Sequence, residues 1–158
     1  DWENASANLP DELRHVYLRS GIVLSGTGGA LGKMLLPFKM GAGGPMGNGK
    51  QWMSWISLDD EIYAIHHLLM ETGSKGVYNL TAPNPVRQKG FAKTLGRVLR
   101  RPAFAPLPGF VIKILFGEMG VKLTLESQKV LPNRLLEEGY EFLHPDLEPA
   151  LQDTLGLW

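Results

Sequence analysis

HVYLRSGIVL, residues 15–24, decides the architecture. The stretch is rich in β-branched and apolar residues and shows no clean alternation. That pattern marks a strand buried on both faces, as in a parallel sheet. SGTGGALG follows at 25–32, and a short helix is expected from about Lys33 to Met40. Further on, Leu58, Ile62, Ile65, Leu68 and Leu69 recur at helical spacing, with Asp59 or its neighbour as the expected cap. Val77-Tyr78-Asn79-Leu80 is a second buried-strand signal. Asn84-Pro85 is expected to open the next helix, whose apolar stripe is Phe91, Leu95, Val98 and Leu99. Two strand–helix units in this order predict an α/β fold.

Between the units lies GAGGPMGNGKQWMSWISLDD, residues 41–60. Glycines at 41, 43, 44, 47 and 49 exclude a helix or a central strand there. Residues 51–57 then read as a short aromatic strand, followed by an acid-capped helix. A hinge-like loop, a strand and a helix in so short a span suggest a wall over a pocket. Trp52 and Trp55 should lie on opposite faces of that strand, one in the core and one at a pocket.

Pro102, Pro106 and Pro108 mark a boundary, dividing the chain into 1–105 and 106–158. Beyond it, helices are expected at about 109–116, 123–131 and 132–138, and a short strand at Tyr140-Glu141-Phe142. His144-Pro145-Asp146 should start a last helix, with Leu147, Leu151 and Leu155 on one face. At the other end, Asp1-Trp2-Glu3-Asn4-Ala5 reads as the inside of a helix whose beginning is absent.

Composition narrows the function. The 158 residues suffice for one domain with a sizeable core. Sixteen basic residues balance sixteen acidic ones, which argues against a general nucleic-acid binder. There is no cysteine, so disulfide frameworks and cysteine-based zinc sites are excluded. The apolar run 110–116 is broken by Lys113 and is too short to span a bilayer, and no secretion signal is visible. A soluble protein of the cytoplasm or an organelle matrix is expected, without membrane or nucleic-acid partners.

Gly26-x-x-Gly29-x-x-Gly32 follows a strand and opens a helix, the spacing of a dinucleotide loop. The helix after it is short, no strand promptly completes a βαβ unit, and no acidic residue is placed to hold a ribose. A glycine-rich strand-to-helix turn is therefore the better reading. Lys89, Lys93, Arg97 and Arg100 line one helix face, a phosphate or RNA surface or, more simply, a solvated face in a neutral chain. His66-His67 has no chelating partner beyond Glu71, so no metal site is assigned. Neither Gly-x-Ser-x-Gly nor Tyr-x-x-x-Lys occurs, and no catalytic residue is assigned.

The motifs in order, LRSGIVL at 18–24, GGALGKMLLPF at 28–38, GGPMGNG at 43–49 and WISLDD at 55–60, resemble the second half of atypical extended short-chain dehydrogenase/reductase proteins, the NAD(P)-dependent epimerase family proteins. The tail, with GYEF at 139–142 and PDLEPAL at 145–151, resembles their small C-terminal module of unknown function. The resemblance implies the C-terminal part of a Rossmann-like parallel sheet with a small, mostly helical substrate-side subdomain. It implies NADP(H) as the cofactor of the full-length protein, with the nucleotide loop and catalytic tyrosine region preceding this chain. The chain alone is then not expected to bind the cofactor tightly. By the same resemblance, Ser20, Gly21, Ile22 and Val23 face the nicotinamide end, and Met34, Phe38, Met53 and Trp55 line a substrate pocket. The substrate is an unidentified small molecule. Ser57 stands where family members often carry histidine. Expected partners are the missing Rossmann half or a second copy of the chain. The alternative is a non-enzymatic binding or interaction module.

Overall fold

The computed structural model describes residues 13–108, 110–114, 116–117 and 127–157. The expectation for residues 1–5 falls outside these residues, as does the start of the helix expected at 123–131; residues 127–131 are irregular backbone and not helix, held by side-chain bonds from Ser54 and Thr81.

The single strand expected at 15–24 is two strands, β1 (Val16–Ser20) and β2 (Ile22–Leu24), broken at Gly21. β1 pairs in parallel with β5 (Gly76–Leu80), and β2 pairs in parallel with β4 (Trp55–Ser57). Consecutive amides serve the two partners: Gly21 N–H donates to Leu80 O and Ile22 N–H to Ser54 O, both at 2.9 Å. Glycine is required at the fork. A Cβ on Gly21 would stand 2.7 Å from Ser54 O and 3.0 Å from Thr81 Cγ2. β1 is also less buried than its composition suggests. Leu18 is 41 % exposed, because among the described residues β1 has a strand neighbour on one edge only.

The aromatic strand is likewise split. β3 (Trp52–Met53) pairs antiparallel with β6 (Val86–Arg87), and β4 turns away after Ser54 to join β2. Here the glycine-rich loop earns its composition. A Cβ on Gly44 would lie 1.7 Å from Ala105 O, so the loop runs directly against the backbone of the proline-rich segment. Leu107 N–H donates to Pro45 O at 2.9 Å, fixing that contact.

Helix α1 (Gly29–Lys39) starts earlier than expected, inside the glycine motif, with Gly28 at the N-cap. Helix α2 (Leu58–Met70) is capped by Ser57, whose hydroxyl accepts from Asp60 N–H at 3.1 Å; Asp59 is not the cap. Its inward residues are Asp60, Ala64 and Leu68, while Leu58, Ile62 and Leu69 are exposed. The expected stripe is thus split: Leu68 and, in part, Ile65 pack inward while Leu58, Ile62 and Leu69 face out, because the buried Asp60 carboxylate sets the helix orientation. Helix α3 (Gln88–Val98) begins after β6, so Asn84-Pro85 does not open it. Phe91 and Leu95 are buried as expected.

In the tail, residues 110–114 and 116–117 are helical. Helix α4 covers Asn133–Glu137 and helix α5 Leu147–Leu155, the latter closed by Gly156 in the left-handed conformation. Tyr140-Glu141-Phe142 is not a strand: Tyr140 turns inward and Phe142 meets its ring edge-on at 4.8 Å. His144 precedes α5 rather than starting it.

Two apolar clusters form the core. One joins Leu24, Phe38, Trp55 and Phe91 to Leu147 and Leu151. The other joins Ile56, Leu68, Tyr78 and Leu80 to Leu135 and Tyr140. The tail therefore contributes to both. No helix among the described residues is long and apolar enough to cross a membrane.

Candidate functional site

Where the two strand pairs part at Gly21, a cleft of about 560 Å³ opens. Its floor is Arg19, Ser20, Gly21 and Ile22 with Asn79 and Thr81, at the carboxyl ends of the parallel strands β1 and β5. Parallel sheets place ligands at this end of their strands, in the crevice where neighbouring connections diverge. Met46, Trp52, Met53 and Ser54 form one wall. Gln128 and Val130, from the strap at 127–131, form the other.

The strap is tied down by serine and threonine hydroxyls. Ser54 Oγ donates to Gln128 O at 2.8 Å and accepts from Val130 N–H at 2.9 Å. Trp52 N–H donates to Ser127 Oγ at 3.0 Å, and Thr81 Oγ1 donates to Val130 O at 3.4 Å. Irregular backbone at 127–131 thus finds its partners in cleft-lining residues. Trp52 is half-buried, with the Arg87 guanidinium 3.9 Å and the Lys129 ammonium 4.7 Å from its ring centre, both cation–π contacts.

At the cleft edge, Ser20 Oγ donates to Glu61 Oε1 at 2.5 Å. Burial pushes the Glu61 carboxyl above its ordinary range, and the bond from Ser20 offsets part of that rise. The second Glu61 oxygen is buried without a partner.

The expected site residues divide. Ser20, Gly21, Ile22 and Met53 come together in the cleft. Val23 packs against the second apolar cluster instead. Met34, Phe38 and Trp55 are at most 2 % exposed and lie in the first cluster, so they support the cleft from within and do not line it. Trp55 spends its indole N–H on Asn84 O at 3.1 Å. Its neighbour Trp52 is the tryptophan at the cleft. Trp52 lies in a two-residue strand and Trp55 in the next, a split that alternation along one strand does not reveal. Asn79, Thr81 and Ser54 were also missed; the signal for the first two was their position at the end of a parallel strand.

Two other motifs resolve simply. A Cβ on Gly26 would sit 3.0 Å from Thr154 O, so the start of the Gly26–Gly32 turn packs on the end of α5. On α3, Lys89 and Lys93 are exposed and Arg97 pairs with Glu148.

Parallel strands, helices packed on them and a cleft at the strand ends define a Rossmann-like α/β protein. Residues 107–154 match the family described as a domain of unknown function (DUF1731). The chain is 45 % identical over 98 % of its length to the human epimerase family protein SDR39U1, and 45 % identical over 96 % to the chloroplastic SDR39U1 homolog of Arabidopsis thaliana. It superimposes with a TM-score of 0.88 on the crystal structure of human SDR39U1 (isoform 2) with NADPH, at 43 % identity over 97 % of the chain. The chain belongs to these epimerase family proteins, within the extended short-chain dehydrogenase/reductases. It spans about half their length: 53 % of the human protein, 44 % of the Arabidopsis one and 52 % of the solved chain.

Proposed function

We propose that this chain is the substrate-side half of an NADP(H)-dependent epimerase or reductase, with the cleft at Gly21 receiving the nicotinamide end of the cofactor and the substrate beside it. The observation that carries the reading is the fork itself, a cleft at the carboxyl ends of β1 and β5 floored by a glycine that no other residue can replace without a clash. The lining fits an amide-bearing aromatic ring: Ile22, Met46, Met53 and Val130 offer apolar surface, and Ser20, Asn79 and Thr81 offer polar groups. The amides of Gly21 and Ile22 are already spent within the sheet. Recognition therefore falls to the oxygens of Ser20, Asn79 and Thr81, whose side chains each spend a donor hydrogen, on Glu61, Leu131 and Val130 respectively, but can still accept. When bound, the cofactor supplies or accepts hydride. This chain's residues position the ring and, through the strap, exclude water. The diphosphate and the proton-transfer tyrosine belong, in this reading, to sequence outside the chain.

A second reading, a non-enzymatic interaction module, draws on the outward apolar residues of α2 and the open edge of β1. The same surface suits the other Rossmann half or a second copy of the chain.

NADPH titration separates the readings. The chain alone should not saturate at micromolar NADPH, because in this reading the diphosphate cradle lies outside it. A longer protein that includes the preceding strand and glycine loop should bind at micromolar level, and Thr81→Val with Ser20→Ala should weaken that binding. Tight binding by the chain alone, or a longer protein indifferent to both substitutions, refutes the proposal.

A further inference from the structure

A second constellation lies outside the cleft, where the first turn of α2 meets the tail. His144 is only 8 % exposed. Its Nδ1 lies 3.2 Å from Ser57 Oγ. The single hydroxyl hydrogen of Ser57 goes to Asp60 Oδ2 at 2.9 Å, and Ser57 Oγ already accepts from Asp60 N–H at 3.1 Å. Nδ1 must therefore be the donor toward Ser57. In the neutral ring this leaves the lone pair on Nε2.

Among the described residues Nε2 makes no hydrogen bond, and it faces the Asp153 carboxylate. Asp153 Oδ2 is 3.6 Å away, and one oxygen each of Asp59 and Asp153, with a ring nitrogen of His144, all lie within 4.8 Å of one another. With the ring in its neutral form, an acceptor then points at an acceptor. The surrounding charge is unfavourable for them as well. Asp153 sits in the last turn of α5, where the helix dipole is negative and no basic residue stands. Asp59 is followed by the buried Asp60. The middle of the trio is therefore a place where a cation is favoured.

We propose that Asp59, His144 and Asp153 bind a divalent first-row cation of the Zn²⁺ or Mn²⁺ class, with water completing its shell. One imidazole and two carboxylates are a donor set for such borderline ions. Two ligands held at about 2.0–2.1 Å in a tetrahedral site are about 3.3 Å apart. The His144–Asp153 separation is already close to that spacing. Asp59, which is exposed, closes the set by a side-chain rotation. The Ser57–Asp60 pair behind Nδ1 provides the outer hydrogen bond that orients a ligating imidazole. The ion clamps the start of α2 to the tail.

Isothermal titration of the chelator-treated chain with ZnCl2 and with MnCl2 tests this, alongside thermal melts. The expected result is one saturable site, a melting temperature raised by several degrees on saturation, and at least tenfold weaker binding in Asp153→Asn. His66→Gln, on an exposed histidine, should bind as the parent does. His144→Gln removes a buried ring and can unfold the chain, so the half-exposed Asp153 carries the comparison. Absence of saturable binding, or binding unchanged in both Asp153→Asn and Asp59→Asn, overturns the proposal. So does an NMR spectrum at saturating cation showing an Nε2 proton bonded to Asp153, which would mean that a proton closes the trio.

Discussion

Replacing Asp60 should unlock the tail. Its carboxylate is fully buried and accepts from Leu143 N–H at 2.8 Å, His144 N–H at 2.9 Å, Ser57 Oγ at 2.9 Å and Tyr140 Oη at 3.1 Å. In Asp60→Ala two of these donors have an escape. The Ser57 hydroxyl can rotate, and Tyr140 keeps its bond to the Asp60 carbonyl at 3.1 Å. The amide of His144 is buried and has none; that of Leu143 is only part-buried and can turn to water in part. An orphaned buried donor costs about 1–3 kcal/mol, so with the smaller share from Leu143 the loss should be about 3 kcal/mol. With a urea slope of about 2 kcal/mol/M, the midpoint falls by about 1.5 M at unchanged slope. Asp60→Asn keeps one acceptor oxygen and should lose about half as much. Equilibrium urea unfolding followed by tryptophan fluorescence measures both, with Lys93→Ala as a surface control expected within about 0.5 kcal/mol. A loss below about 1 kcal/mol for Asp60→Ala would show that the tail is held by apolar packing alone.

The two tryptophans should separate stability from binding. Trp55→Ala should cost about 3–5 kcal/mol, as fits a fully buried ring, whereas Trp52→Ala should cost far less and weaken ligand binding in the longer protein; the reverse order would misplace the cleft. Glu138 gives an acid signature. Burial raises its pKa, but bonds from Tyr78 and Ser74 and the nearby Arg134 together outweigh that and hold it below 4.5. A depressed folded value stabilises above the unfolded pKa and is lost as pH falls through the folded one, so Glu138→Gln should flatten the stability decline below about pH 4.5. A pH profile identical to the parent's would remove Glu138 from the acid transition.

Much of this was legible in the sequence, because parallel strands and α3 carry strong composition and period signals. Val77–Leu80 and the Phe91–Leu95 face needed nothing beyond the chain itself. What was hidden depended on contacts between distant segments. The break at Gly21 is forced by Ser54 and Thr81, which lie far along the chain. The orientation of α2 is set by Asp60, a polar residue that apolar periodicity scores as outward. The aromatic pair Tyr140 and Phe142 suggests a strand, yet Tyr140 turns in to reach that same carboxylate. The sequence separates Trp52 and Trp55 into core and pocket positions, but its family resemblance assigns the pocket to Trp55; the pairing of β3 with β6 gives it to Trp52.

The reach of the Asp60 contacts also sets an order in time. The carboxylate and the amide of His144 are separated by 84 positions. At a synthesis rate of about 5–20 residues per second, the nascent chain carries α2 for roughly 4–17 s before its counterpart exists. Throughout that interval Asp60 has no reason to turn inward, and both apolar clusters lack the leucines that the tail supplies. The strand–helix units made earlier must therefore wait, their two apolar clusters incomplete, for the tail that fills them. A chaperone that shields those unfinished clusters during those seconds should matter more to the yield of this chain than any change in the speed of its later packing.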